Sequence, residues 1–174
     1  HILTAEANPV QDLVVCARNA GVEVERVIPS AWAVADATVS EEERKLGCLV
    51  MDIGKGTTDI ACYLHDSLIH TESFPFGGGS IDGDICFLLH TPPAYAEELK
   101  KNHGWCTFQT MAADKDPRLY SPIDLFTPTG KIARQVTAEK ISMIVLDRVL
   151  EIYNTYVKKA LASAPHLLDS LSGG

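Results

Sequence analysis

Apolar and polar positions change their period several times along the chain, and each change marks an element. From Asn8 to Ala20, Val10, Leu13, Val14 and Ala17 recur at helical spacing, with Asn8 placed to cap, Pro9 at the first helical position and Gly21 as the stop. "VEVERVI", residues 22–28, alternates as a strand with one exposed face does, and Pro29 closes it. The small residues of "SAWAVADAT" suit a helix, and Glu41, Glu42, Glu43, Arg44 and Lys45 read as a solvated loop or helix end. "GCLVMDIG" is an apolar run too short for most helices and bounded by glycines, the mark of a buried strand. "TDIACYLHD" and "SLIHTESFPF" follow as two further strands with His65 and Asp66 in the turn between them, so three hairpin-linked strands form a meander.

Glycines then open "GGGSIDGDICFLLH", a helix carrying Ile81, Ile85 and Leu88 on one side. "PPAYAEELKKNHG" has a proline start, good helix formers and a glycine stop. Residues 105–128 are rich in Pro, Asp, Ser and Thr and predict short strands and loops. The longest periodic segment follows, with Ile141, Ile144, Val145, Val149, Ile152 and Tyr156 in one stripe and Thr137 able to cap it. It ends near Pro165, and a short linker leads to "LSGG". The opening "HILTA" reads as the end of a strand and "LSGG" as a strand about to turn, so the chain is expected to belong to a larger polypeptide. No solenoid-length repeat or low-complexity tract interrupts this order. The pattern predicts a mixed α/β fold with a mostly β-hairpin sheet edge, which is not the doubly wound nucleotide fold.

Composition narrows the partners. With 46% hydrophobic and 22% charged residues the 174-residue chain can build a proper core. A formal charge of -8 argues against a nucleic-acid backbone as the partner, because that demands a surplus of Lys and Arg. It leaves room for a nucleotide, which needs only a local site. Cys16, Cys48, Cys62, Cys86 and Cys106 stand singly among mostly apolar neighbours and read as buried reduced thiols of a cytoplasmic protein. The histidines lack the spacing of a metal site, and no apolar run approaches the roughly 20 residues of a membrane span.

The chemistry concentrates at "DIGKGTTD", residues 52–59. Phosphate wants backbone N–H groups and no Cβ atoms in the way. Gly54 and Gly56 allow close approach, Thr57 and Thr58 add hydroxyls, and Asp52 at the end of a strand suits Mg²⁺ held through water. A tight hairpin whose turn needs positive φ accounts for the same residues equally well. A second stretch, Gly77, Gly78 and Gly79 at a helix start, offers another place for an anion and favours the phosphate reading. Asp82 and Asp84 fit helix-start acids better than a general acid and base pair. Trp32 and Trp105 read as core or boundary anchors.

Taken together, "EEERKLGCLVMDIGKGTTDIACYLHDSLIHTESFPFGGG", "DICFLLHTPPAYAEELKKNHGWC" and "RQVTAEKI" resemble the actin, sugar-kinase and heat-shock-chaperone ATPase superfamily, and within it the bacterial cell-division FtsA family. Residues 107–131 match least. The resemblance implies the C-terminal half of an actin-like ATPase, an α/β lobe with a ribonuclease H-like subdomain and a smaller inserted one. Residues 1–46 would close the preceding lobe and connect through the helix near Ser30 to Val39; 47–94 would be the core with its phosphate hairpin, 95–146 the insertion, and 147–174 the long helix end and the start of an adenine-side loop.

By the same likeness ATP and Mg²⁺ are the expected ligands. Gly54, Lys55, Gly56, Thr57, Thr58, Gly77, Gly78, Gly79, Gly173 and Gly174 would hold the nucleotide and Asp52 the metal, with no catalytic residue assigned and at most a slow ATPase activity. Glu139 and Lys140 are candidates for ribose or base contact, or simply a solvated helix face. The chain departs from the family pattern in three places: Lys55 stands where relatives usually have glycine, Ser30 and Ala31 where many place a polar or acidic residue, and Ile144 where many have arginine. The implied role is an adaptor joining an FtsZ-like ring protein to the inner face of the membrane at the division site and assembling with itself. Any membrane contact would come through a segment outside this chain. The competing readings are a sugar- or acid-kinase-like phosphotransferase and a degenerate actin-fold scaffold without nucleotide.

Overall fold

The structure is a computed structural model that describes residues 7–126 and 130–158. Helix α1 (Ala7–Asn19) already includes Asn8, so this residue sits inside the helix instead of capping it. The predicted stop holds: Gly21 has φ +80°, its N–H donates to Arg18 O and that of Val22 to Ala17 O, the paired bonds that end a helix on a left-handed residue. The predicted strand over residues 22–28 does not form. Val22 and Val27 are more than half exposed, and alternation produces a strand only where a neighbour supplies the ladder.

Helix α2 (Ser30–Thr38) follows Pro29, and the acidic cluster proves to be a helix, α3 (Glu41–Leu46). Ser40 and Glu43 cap it reciprocally, the Glu43 N–H donating to Ser40 Oγ and the Ser40 N–H to the Glu43 carboxylate. Strands β1 (Cys48–Ile53), β2 (Thr58–Leu64) and β3 (Ser67–Phe74) form the predicted meander in the order β1-β2-β3. His65 and Asp66 both take positive φ (50° and 62°), the two-residue turn that matches the twist of a hairpin.

Helices α4 (Gly78–Leu89) and α5 (Pro93–His103) come next, then a short helix α6 (Phe108–Ala113), a 3₁₀ turn (Pro117–Leu119), the strands β4 (Pro122–Phe126) and β5 (Ile132–Thr137), and helix α7 (Ala138–Glu151). β4 and β5 pair antiparallel from Pro122 opposite Thr137 to Leu125 opposite Arg134, with an irregularity between Leu125 and Phe126. Thr137 caps α7 as expected, its hydroxyl accepting the Lys140 N–H. After Glu151 the helix loosens into a π turn, Ile152–Val157. Five residues per hydrogen-bonded step bring Val157 onto the face of Ile152, which is why Val157 is fully buried while Tyr156 is only half-buried.

The described residues divide into two compact units, 7–50 with 61–71, and 51–60 with 72–126 and 130–158. The first packs Ala31 and Ala35 of α2 against Cys48, Val50, Ala61 and Tyr63. In the second, Ile81, Ile85 and Leu89 of α4 meet Ala96 and Leu99 of α5, Leu125 of β4, and Ile141, Ile144 and Val145 of α7. Each Ile or Leu fully buried there stabilises the unit by roughly 1.5–3 kcal/mol. The α4 stripe was expected to use Leu88; the helix rotates so that Leu89 is buried and Leu88 stays 51% exposed. Ser142, fully buried, ties α5 to α7 by donating to His103 O and accepting the Trp105 N–H, each at 3.0 Å. Asp82 and Asp84 are cross-helix partners, not helix-start acids: Asp82 pairs with Lys100 at 2.7 Å, and Asp84 takes a two-pronged bond from Arg148 at 2.6 and 2.7 Å.

Cys48 and Cys62 are buried as expected, and burial pushes the Cys62 thiol up to about 11. Cys16 and Cys106 are exposed instead. Among the described residues no helix is long and apolar enough to cross a membrane.

Candidate functional site

Between β1 and β2 the chain turns over Gly54, Lys55, Gly56 and Thr57, closed by the Gly54 N–H donating to Thr57 O at 2.8 Å. Neither glycine has positive φ, so the turn does not require them on backbone grounds. A Cβ added at Gly54 would press on Thr57 O at 3.3 Å, whereas one at Gly56 would meet nothing within 4 Å. Gly56 is therefore glycine for neither of the usual internal reasons. The amides of Lys55, Gly56 and Thr57 find no acceptor among the described residues. Successive bare N–H groups of this kind are what an anionic oxygen needs.

The other glycine stretch reaches the same place by a different route. Gly78 donates its N–H to Gly54 O at 2.9 Å and Gly79 its N–H to Lys55 O at 2.7 Å. A Cβ on Gly77 would collide with Gly54 O and lie 2.8 Å from Lys55 O; one on Gly79 would lie 2.9 Å from Lys55 O. The two corners predicted to meet on an anion thus meet each other. The amides that open α4 are engaged by hairpin carbonyls, and glycine is needed there so that one backbone can touch another.

The remaining predicted residues separate in space. Thr57 is exposed and its hydroxyl lies 3.3 Å from an Asp59 carboxylate oxygen. Thr58, one residue on, points to the opposite face, is fully buried, and donates its hydroxyl to Phe76 O at 2.8 Å, so that hydroxyl fastens the corner instead of facing it. Asp52 is half-buried near the end of β1. No group of three or more His, Cys, Asp or Glu able to hold a metal occurs among the described residues. Ile144 is 5% exposed in the α4–α5–α7 core, where an apolar side chain packs well. Gly173 and Gly174 lie outside the described residues.

Two groups that the sequence reading left unassigned complete the corner. Lys100 Nζ donates to Gly78 O at 2.9 Å while pairing with Asp82, fixing the start of α4. Glu97 binds Lys101 at 2.8 Å and Lys55 at 3.1 Å, and these two ammonium groups, Lys101 foremost, pull its carboxyl down to about 2. The i, i+4 spacing of Glu97 and Lys101 was visible in the sequence; the tie to Lys55 was not. Beside this corner lies a groove of about 650 Å³ walled by Lys55, Gly79, Asp82, Gly83, Phe87 and Glu97, among others; neither Glu139 nor Lys140 is in its wall.

The fold places the chain in a class. The crystal structure of MreB5 of Spiroplasma citri bound to AMPPNP superposes with a TM-score of 0.72 at 21% identity, covering 98% of this chain and 54% of that one. The ethanolamine utilization protein EutJ from Carboxydothermus hydrogenoformans gives a TM-score of 0.55 at 20% identity, over 86% of this chain and 41% of that one. These likenesses establish an actin-like fold.

Sequence goes one step further. The family model for the cell division protein FtsA matches residues 49–169, and this chain belongs to the FtsA family. FtsA of Pseudomonas aeruginosa and of Escherichia coli K12 are each 33% identical over 141 residues, which is 81% of this chain and 33% of theirs. FtsA of Borreliella burgdorferi is 30% identical over 174 residues, all of this chain and 40% of its own. The chain therefore spans about a third to two fifths of the length of these relatives.

Proposed function

We propose that this chain carries one side of the nucleotide site of an FtsA-type actin-like protein in bacterial cell division. ATP would seat its polyphosphate on the Lys55, Gly56 and Thr57 amides, with Mg²⁺ held through water by Asp52. One observation carries this reading: Gly56 is bare with neither a positive φ nor a neighbour to explain it, between amides that lack acceptors. The AMPPNP complex of MreB5, with the same fold, supports it as an analogy. As in the family resemblance, bound nucleotide would act by favouring one of two conformational states, through its different affinity for each. The whole protein would link an FtsZ-like ring protein to the membrane at the division site and assemble with itself, with hydrolysis slow at most.

A second reading has its own observation. The Gly78 and Gly79 amides are already bonded, which removes part of the expected cradle and suits an actin-fold scaffold that has no nucleotide. Titration of the full-length protein with fluorescent ATP, with and without Mg²⁺ and alongside Asp52→Ala, separates the two. Mg²⁺-dependent binding that Asp52→Ala weakens, with negligible turnover, supports the adaptor. Absence of binding supports the scaffold, and rapid turnover with an added small substrate would indicate a phosphotransferase.

A further inference from the structure

Lys55 occupies the tip of the hairpin with its two halves differently employed. Its backbone is pinned, because its carbonyl accepts the Gly79 N–H at 2.7 Å. Its own amide has no acceptor among the described residues. Its side chain is 74% exposed and rests its ammonium 3.1 Å from Glu97, on a helix 42 residues away in sequence. Glu97 does not depend on that contact, since Lys101 holds the other carboxylate oxygen at 2.8 Å.

From this arrangement we infer that Lys55 is a movable cation that sets the preference for the longer polyphosphate: a polyphosphate chain seated on the hairpin amides draws its ammonium away from Glu97. This rests on the nucleotide reading and deepens it. An ion pair this exposed contributes little, because water solvates both partners nearly as well. A polyphosphate offers more negative charge and several strong acceptor oxygens at close range, and charge-assisted bonds to it are the stronger choice. Release does not orphan the acid, because Lys101 remains. The fixed Lys55 carbonyl confines the exchange to the side chain, so the hairpin stays docked on α4 while its link to α5 opens. Glu97 is thus a competitor for Lys55, and it raises the threshold that a ligand's charge must cross. A diphosphate, with less charge to offer, draws Lys55 less effectively than a triphosphate.

The test is calorimetric titration of the full-length protein with ATP, ADP and inorganic tripolyphosphate. Lys55→Ala should weaken ATP and tripolyphosphate about 10-fold and ADP less than about 3-fold, and Lys55→Arg should restore most of the difference. Glu97→Gln should tighten ATP about 2- to 5-fold, and in the Lys55→Ala background the same change should have no effect, a coupling that a purely structural ion pair would not show. Equal losses for ATP and ADP in Lys55→Ala, or a weakening by Glu97→Gln in either background, overturn the exchange. If the wild-type protein binds ATP and Lys55→Ala binds it equally well, only the role of Lys55 falls. If the wild-type protein binds none of the three probes, the nucleotide reading falls with it.

Discussion

The hairpin corner at Gly54 to Thr57 and the glycine stretch at Gly77 to Gly79 look alike in the sequence and differ in what their glycines do. At Gly77 and Gly79 the missing side chain makes room for the carbonyls of Gly54 and Lys55, and the adjoining amides are bonded. At Gly56 the missing side chain makes room for nothing inside the molecule, and the adjoining amides are not bonded. Glycine richness therefore marks two different things on facing segments: a backbone-to-backbone seam and an open cradle. The seam matters to the cradle all the same. By holding the Gly54 and Lys55 carbonyls, it fixes the plane from which the next amides project.

Substitutions that add one methyl group at each place should separate the two roles. Gly77→Ala should have the largest effect, because the new Cβ meets two backbone oxygens that cannot swing aside; a loss of about 2–3 kcal/mol in chemical denaturation is expected. A change under about 0.5 kcal/mol would mean that the seam is not as tight as described.

The threonine pair gives the next contrast. Thr58→Val keeps the shape of the buried side chain but leaves Phe76 O without its donor, at a cost of about 1–2 kcal/mol in stability. Thr57→Val, at an exposed position, should stay within about 0.5 kcal/mol. Equal effects from the two would remove the distinction between fastening and facing side chains.

Gly56→Ala should invert the pattern of Gly77→Ala. Its Cβ enters open space at an ordinary φ, so the melting curve should hardly move, while ATP affinity falls about 10-fold, or about 1.4 kcal/mol, as the methyl group stands where phosphate oxygens would approach. Retained affinity would count heavily against the cradle.

How far these roles could be read beforehand depended on whether their cause is local. The stripe of Ile141, Ile144 and Val145, the Thr137 cap, the proline start of α5 and the Gly21 stop are set by neighbours within a few residues, and all were legible. The strand expected over residues 22–28 failed because its ladder requires a partner that alternation alone does not supply. The use of the Gly78 and Gly79 amides depends on where a hairpin more than twenty residues earlier docks, and the Lys55–Glu97 contact joins positions 42 apart. Asp82 and Asp84 were misread for the same reason, since the acids sit near a helix start in sequence while their cations come from α5 and α7. The glycines themselves were legible; which of them face a neighbour was not.

The smallest expected effect probes the tie between cradle and helix through pH. Lys101 first and Lys55 second hold the Glu97 carboxyl down to about 2, below the ordinary range near 4.3 that it would have in an unfolded chain. A depressed folded-state value means that these two ion pairs, the one with Lys101 within α5 foremost, stabilise the native state fully above the unfolded value and weaken as pH falls from there toward 2. The stability difference between wild type and Glu97→Gln should therefore be flat from about pH 8 to 5 and shrink between about pH 4.5 and 2. Because Lys55 is largely exposed, salt should screen its share of the tie, so the same difference should be smaller in 1 M salt than in 0.1 M, where the screening length falls from about 10 Å to about 3 Å. The corresponding difference for Gly77→Ala should ignore salt and should not follow the titration of Glu97, because it arises from contact between uncharged backbone atoms. A Glu97→Gln difference that persisted unchanged to pH 2 would mean that hydrogen bonding available to the neutral side chain, and not charge, holds the hairpin tip to α5.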